Sequence, residues 1–292
     1  MSSGIVTERL KRTKRSCKEI GFVELEELVK KNISESLFRV AYRGITRARL
    51  RRILPLKNKK PQVKTILLDL DGTIFDIAER DAFARYQALN DLGYHFTLDD
   101  VKKHYHLGKG TMDLVEELGI ELAEKKERQY VEASFAHFSE RQNALNLTKI
   151  HAGAYDALSA LSEEYRLVLV TSRNALSSTE EELEWFGIKA FFKLIVTREV
   201  AAKHYDMKDL PLLPFQEQRT KLYQCAIDLT GIDPEEMLCV GDAVGEIEPA
   251  KKLGIMAIGV LTGFSSKEDM EKASIATAKD LTEVVKTLRA LR

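Results

Sequence analysis

Ile66-Leu67-Leu68-Asp69-Leu70-Asp71-Gly72-Thr73 reads as a short apolar strand that ends in two carboxylates, two residues apart. Strand side chains alternate between faces, yet a turn at Gly72 lets both carboxylates reach one pocket at the strand's carboxyl end. Open parallel sheets bind their ligands at that end. Paired carboxylates there suit a hard cation and, with it, phosphate chemistry.

Outward from this stretch, apolar strand candidates alternate with helices. The strands are expected at Thr65–Asp69, Leu167–Thr171, Leu194–Thr197, Met237–Gly241 and Met256–Val260. Helices are expected at Ala152–Glu164, Glu180–Phe186, Gln218–Leu229 and Glu246–Leu253. The alternation predicts an α/β chain, a three-layer Rossmann-like parallel sheet with helices on both faces. Asp76–Asn146 interrupts it with helical stretches at Glu79–Leu92, Leu98–His104 and Leu122–Arg141 and no convincing strand. Inserted directly after the Asp-rich strand, it would lie above the strand ends as a lid. The expected organisation is a catalytic core at 63–76 and 147–292, a helical cap at 77–146 and a basic helical N-terminal extension at 1–62.

Composition agrees with a globular protein of one large or two modest domains in 292 residues. Net charge is zero but unevenly spread. Residues 1–63 carry 17 Lys+Arg and 6 Asp+Glu, a net of +11, which leaves −11 on the rest. A basic arm on an acidic body follows. Ser34–Leu54 shows an apolar stripe beside Arg39, Arg43, Arg47 and Arg51, recurring every four residues. The arm is expected to pack on its own body or on a second copy, so a homo-oligomer is compatible; binding to nucleic acid or an anionic membrane is the alternative. Cys17, Cys225 and Cys239 are odd in number, widely spaced and without metal-ligand spacing. With no export signal and no apolar run of membrane-spanning length, a cytoplasmic protein with reduced thiols is expected.

Further chemistry sits at other strand ends. Leu167–Val170 runs into Thr171-Ser172-Arg173-Asn174, where a hydroxyl and following backbone amides can hold a phosphate oxygen. Met237–Val240 runs into Gly241-Asp242, with Glu246 four residues on. Three carboxylates at one buried edge would repel each other without a cation, so Mg²⁺ is the expected occupant. After the loop Arg198–Gln216, a helix opens with Arg219-Thr220-Lys221, and a lysine there could offset phosphate charge.

The order of these segments resembles the haloacid dehalogenase superfamily, over residues 64–292. Asp69-Leu70-Asp71-Gly72-Thr73 is similar to its first motif, Thr171 to its second, and Gly241-Asp242-Ala243-Val244-Gly245-Glu246 to its fourth. The insertion resembles the helical cap of the phosphoglycolate-phosphatase-like branch. The resemblance implies a Mg²⁺-dependent phosphatase acting on a small phosphorylated metabolite. In that reading Asp69 is the nucleophile and forms an aspartyl-phosphate. Asp71 is the general acid and then the base, and Thr171 binds a phosphoryl oxygen. Gly72, Thr73, Ser172 and Arg173 border the substrate. Mg²⁺ is held by Asp69, the main-chain carbonyl of Asp71, and Asp242, with Glu246 behind. Glu246 departs from the family's second Asp and is expected to reach the metal indirectly. The family's Lys-Pro third motif is absent. Lys203, Lys208 and Lys221 compete for its role, and Lys221 is preferred because it opens the helix leading to the fourth motif. Leu107-Gly108-Lys109-Gly110-Thr111 resembles a cap specificity loop, with Lys109 as a substrate contact. A phosphomutase shares these motifs. A phosphonate hydrolase would use Lys109 as a Schiff base. A non-catalytic regulator built on the basic arm is the rival from another class.

Overall fold

The computed structural model describes residues 63–105 and 110–290. The N-terminal arm and Lys109 lie outside the described residues. Within them, a six-stranded parallel sheet is formed by β1 (Thr65–Leu68), β4 (Arg166–Val170), β5 (Phe192–Val196), β6 (Met237–Gly241), β7 (Met256–Val260) and β8 (Ala276–Ala278), in the order β5-β4-β1-β6-β7-β8. A second sheet pairs β2 (Phe75–Asp76) with β3 (Lys149–Ile150) in antiparallel fashion.

The central strands are apolar on both faces, as parallel strands covered by helices must be. Alternation then divides them between two cores. Ile66, Leu68, Leu167, Leu169, Leu238 and Val240 face one core. Leu67, Val168, Val170, Met237 and Cys239 face the other. The first core is covered by α6 (Ala154–Glu164), α7 (Leu176–Trp185) and α12 (Leu281–Ala290). The last of these buries Leu281, Val284, Val285 and Leu288 at helical spacing. The second core is covered by α8 (Arg198–Tyr205), α9 (Phe215–Thr230), α10 (Val244–Lys252) and α11 (Lys267–Ala273). The three-layer α/β architecture read from the sequence is the observed one.

Between β2 and β3 run α1 (Ala78–Asp91), α2 (Leu98–His104), α3 (Thr111–Glu117), α4 (Glu124–Ser139) and α5 (Arg141–Leu147). They enclose a small core of their own, with Ala88, Leu89, Val101, Leu114, Val115 and Tyr130 at its centre. The expected helix Leu122–Arg141 is α4, which stops at Ser139 because the chain leaves helical geometry at Glu140, and the further helix α5 follows. No helix of the described residues is long and apolar enough to cross a membrane.

Strand order positions the site. β1 lies at the centre with β4 on one side and β6 on the other, all parallel. Chain direction across the sheet therefore reverses at β1, the switch point where such sheets open a crevice at their carboxyl ends. Asp69 and Asp71 follow β1, Thr171 follows β4 and Asp242 follows β6.

Candidate active site

Asp69, Asp71, Thr171, Ser172, Arg173 and Glu246 line one cleft between the sheet edge and the helical insertion, about 660 Å³ in volume. The two carboxylates after β1 do different things within it. Carboxylate oxygens of Asp69, Asp242 and Glu246 converge within 4.8 Å of one another, and all three residues are buried. Asp71 stands outside that cluster. Its carboxylate is gripped by Arg173, which donates from Nε to Oδ2 (2.9 Å) and from Nη2 to Oδ1 (2.6 Å).

Asp242 is fixed from several sides. The Thr73 hydroxyl donates to its Oδ1 (2.9 Å) and the Phe264 amide to its Oδ2 (2.8 Å). Gly72, at φ +88, presses against the same carboxylate, and a Cβ there would collide with it. This explains the Asp-Gly-Thr sequence locally: glycine takes the left-handed turn without penalty and the threonine ties the first motif to the fourth. Gly72 and Thr73 therefore serve Asp242 in this structure. Thr73 is buried and the Gly72 amide donates to the Phe75 carbonyl (2.8 Å), so neither faces the cleft as a substrate contact.

The cation beside the nucleophile candidate is Arg219, fully buried. Its Nη1 donates to Asp69 Oδ1 (3.1 Å), the Val170 carbonyl (3.2 Å) and Ser172 Oγ (3.3 Å). Its Nη2 donates to the Tyr223 hydroxyl (2.8 Å) and lies 3.3 Å from Glu246 Oε1. Lys221 is elsewhere: its Nζ sits 5.3 Å from the Tyr205 ring centroid, outside the cleft. Helix phase separates the two. Arg219 shares the buried face of α9 with Leu222, Tyr223 and Ala226, three, four and seven residues on. Lys221 is in phase with Gln224 and Asp228, on the polar side. That phase was available in the sequence, but a search for lysine passes over it. Lys203 is likewise turned to a surface partner, Glu199 (2.6 Å).

A buried ionic chain joins core to insertion. Arg173, besides Asp71, pairs with Glu182 of α7. Glu182 in turn accepts from Arg80 of α1 (2.9 Å), which also donates to Thr148 Oγ1 (3.2 Å) and the Phe138 carbonyl (2.7 Å). The sequence gives no sign of this chain, since its members are brought together from distant segments. Arg198 adds a cation of another kind. Its Nη1 donates to Asn174 Oδ1 (3.1 Å), and its Nε is buried with no hydrogen-bond partner.

Charge states follow from these neighbours. Burial, then Glu246, push the Asp69 carboxyl well above its usual range, against Arg219. Burial and Glu246 push Asp242 up to about 8. Burial also opposes ionisation of Asp71, but Arg173, with Arg80 behind it, outweighs burial and holds that carboxyl below its usual range. Burial opposes the Arg219 charge too, and Glu246, Tyr223 and Asp69 more than restore it. The strand-end cluster is thus short of positive charge, whereas Asp71 is not. Glu246 Oε2 is buried without a partner. An orphaned oxygen among three converging carboxylates fits a hard divalent cation. Glu246 brings a carboxylate oxygen into the cluster with Asp69 and Asp242, its extra methylene giving it reach.

The carboxylate pair after the central strand, the hydroxyl after β4 and the acidic pair after β6 define the class. Residues 66–260 match the family of haloacid dehalogenase-like hydrolases, and the chain belongs to that family. It is similar to a phosphoglycolate phosphatase of Aquifex aeolicus, 28% identical over 203 residues, which covers 69% of this chain and 86% of the relative. A phosphoglycolate phosphatase of Colwellia psychrerythraea is 25% identical over 234 residues, covering 73% of this chain and 91% of the relative. A solved haloacid dehalogenase-like family hydrolase of Streptococcus pneumoniae superposes with a TM-score of 0.58 at 17% identity. It covers 77% of this chain and 98% of that chain, a likeness of fold.

Proposed function

We propose that the chain is a Mg²⁺-dependent phosphatase that hydrolyses a phosphate monoester through an aspartyl-phosphate on Asp69, with residues 77–146 as its cap. The observation that carries this reading is the division of labour between the two carboxylates after β1. Asp69 belongs to the carboxylate cluster with Asp242 and Glu246, and Asp71 faces the cleft on Arg173.

An Asp69 carboxylate oxygen attacks phosphorus while Ser172 borders the phosphoryl oxygens and the buried Arg219 holds the Asp69 carboxylate from behind, and the ester P–O bond breaks. Asp71, once protonated, delivers its proton to the departing alcohol oxygen. In the second half Asp71 takes a proton from water as that water attacks phosphorus. The acyl-phosphate P–O bond then breaks, releasing phosphate and restoring Asp69. Thr171 and Arg198, which both line the cleft, would donate to phosphoryl oxygens. Asp69, Asp242 and Glu246 would hold Mg²⁺ directly, with the Asp71 carbonyl as the expected main-chain ligand. When bound, the ion would supply charge neutralisation and orientation of the phosphoryl group. Arg219 takes the role that the sequence suggested for Lys221.

The test is phosphate release from a panel of monoesters, with and without Mg²⁺. Labelled phosphate should be recovered on acid-quenched protein during turnover. Full activity in excess chelator, or turnover without protein-bound phosphate at any time, would remove the proposal.

The raised carboxyls make a further prediction about the metal. Without a cation the cluster retains protons in the folded state that the unfolded chain would have lost. That contribution to stability is complete below the unfolded pKa and is lost as pH rises through about 8. The chelated protein should therefore melt at lower temperature as pH rises across that value. Mg²⁺ should restore the loss, and its binding should release protons and tighten with pH. Thermal melts and titration calorimetry in buffers of differing ionisation enthalpy check this; Mg²⁺ affinity independent of pH would contradict it.

A further inference from the structure

We infer that the cleft is shaped for a phosphate monoester of a bulky, apolar, ring-bearing alcohol rather than of a small acid, and that Phe135 and Phe215 select it. The inference rests on the phosphatase reading and concerns only the leaving group.

The first observation is size. A cleft of about 660 Å³ falls in the middle of the range, roughly 300–1,000 Å³, that encloses drug-sized ligands. A two-carbon phosphate would leave most of it to water. The second is the character of the walls. Phe135 of α4 is 59% exposed and Phe215, the first residue of α9, is 45% exposed, and both line this cleft, one from the insertion and one from the core. Aromatic rings left open to water in a pocket, rather than scattered on the surface, mark a place where a ligand covers them. Phe215 is seated deliberately. Its ring lies over Gly245, where a Cβ would come within 2.8 Å of Cε1, so the fourth motif's glycine makes room for an aromatic rim beside the carboxylate cluster.

The third observation is where the positive charge goes. Four of the arginines in the cleft already have acidic partners: Arg173 on Asp71, Arg80 on Glu182, Arg85 on Asp81 and Arg141 on Glu181. A small substrate with its own carboxylate would have to break one of these pairs or compete with the phosphoryl group for Arg198. An apolar ring makes no such demand and gains stacking on the phenylalanines.

The experiment compares three esters of primary alcohols that differ in what the alcohol carries, an aromatic ring, neither ring nor charge, or a carboxylate: 2-(1-naphthyl)ethyl phosphate, ethyl phosphate and 2-phosphoglycolate. With Mg²⁺ present, kcat/KM for the naphthylethyl ester should exceed that for ethyl phosphate by at least about tenfold, the least a hydrophobic pocket returns for a single added group. Phe135→Ala should bring the ratio of the two down towards one, through KM, and Phe135→Trp should keep it. Phe215→Ala should lower the same ratio, with melting temperature measured to exclude unfolding. A wild-type ratio near one, or a preference for 2-phosphoglycolate over both other esters, would overturn the inference while leaving the phosphatase reading standing. Failure to hydrolyse any of the three, or any other monoester, would remove the phosphatase reading instead.

Discussion

Asp69→Asn should abolish turnover and leave the fold intact. Asp69 is 4% exposed and follows β1 inside the carboxylate cluster, 3.1 Å from Arg219. An amide is nearly isosteric, so packing survives, but it is a far weaker nucleophile toward phosphorus. Losses on removing a nucleophile are on the order of 10⁴–10⁶-fold in kcat. The structure adds a second expectation. Glu246 and Asp242 both raise the Asp69 pKa by like-charge repulsion, so a neutral amide relieves that repulsion in the metal-free protein. The chelated variant should therefore melt no lower than the chelated wild type at alkaline pH, and Mg²⁺ should stabilise it less. Labelled phosphate should no longer be found on the quenched protein. A variant that kept more than about a hundredth of the wild-type kcat would move the covalent step to another residue.

The parts of the fold that were legible are those buried on both faces. β1, β4, β6 and β7 are continuous apolar runs, and their expected positions fall within a residue of the observed ones. Legibility fails at the sheet's edges. β5 begins at Phe192, two residues before its expected start, because exposed Lys193 breaks the apolar pattern as charged residues on edge strands do. β8 is three small or polar residues whose pairing with β7 does the work that side chains do elsewhere. α7 starts at Leu176 rather than Glu180, since Ser177, Ser178 and Thr179 have weak helix preference. The Thr179 hydroxyl nonetheless bonds back to the Ala175 carbonyl (2.8 Å).

The same division holds at the site. Asp69, Asp71, Thr171 and Asp242 were readable because each directly follows a buried strand. Arg219 was not, because its position is set by helix phase and by the gap left without a lysine. Arg80 and Glu182 were not, because their pairing exists only once the insertion has docked on the core. Tyr223 shows what local reading misses altogether. Its hydroxyl, between Arg219 Nη2 (2.8 Å) and Cys239 Sγ (3.2 Å), braces the buried guanidinium from behind.

Asp71→Asn should cost less than Asp69→Asn and should depend on the alcohol released. The amide can neither give a proton nor take one from water, but the nucleophile and the main-chain carbonyl remain. General acid–base catalysis contributes roughly 10²–10⁴-fold, and that range is the expected fall in kcat for alkyl esters. Aryl esters, whose oxygens leave without help, should lose less. Once release of the alcohol no longer limits them, the phosphorylated Asp69 should accumulate, because the water step has lost its base. The pH profile carries the distinguishing sign. Arg173 outweighs burial and holds the Asp71 carboxyl below its usual range, so the protonated fraction shrinks as pH rises. Alkyl-ester kcat/KM in the wild type should fall with rising pH on that account. Arg173→Met removes the partner and should carry the falling limb to higher pH, while Asp71→Asn should erase it. Equal losses on alkyl and aryl esters, or a limb that persists unchanged in Asp71→Asn, would show that the proton comes from another group. Glu182 would then need the same scrutiny, since it is the other carboxylate on Arg173.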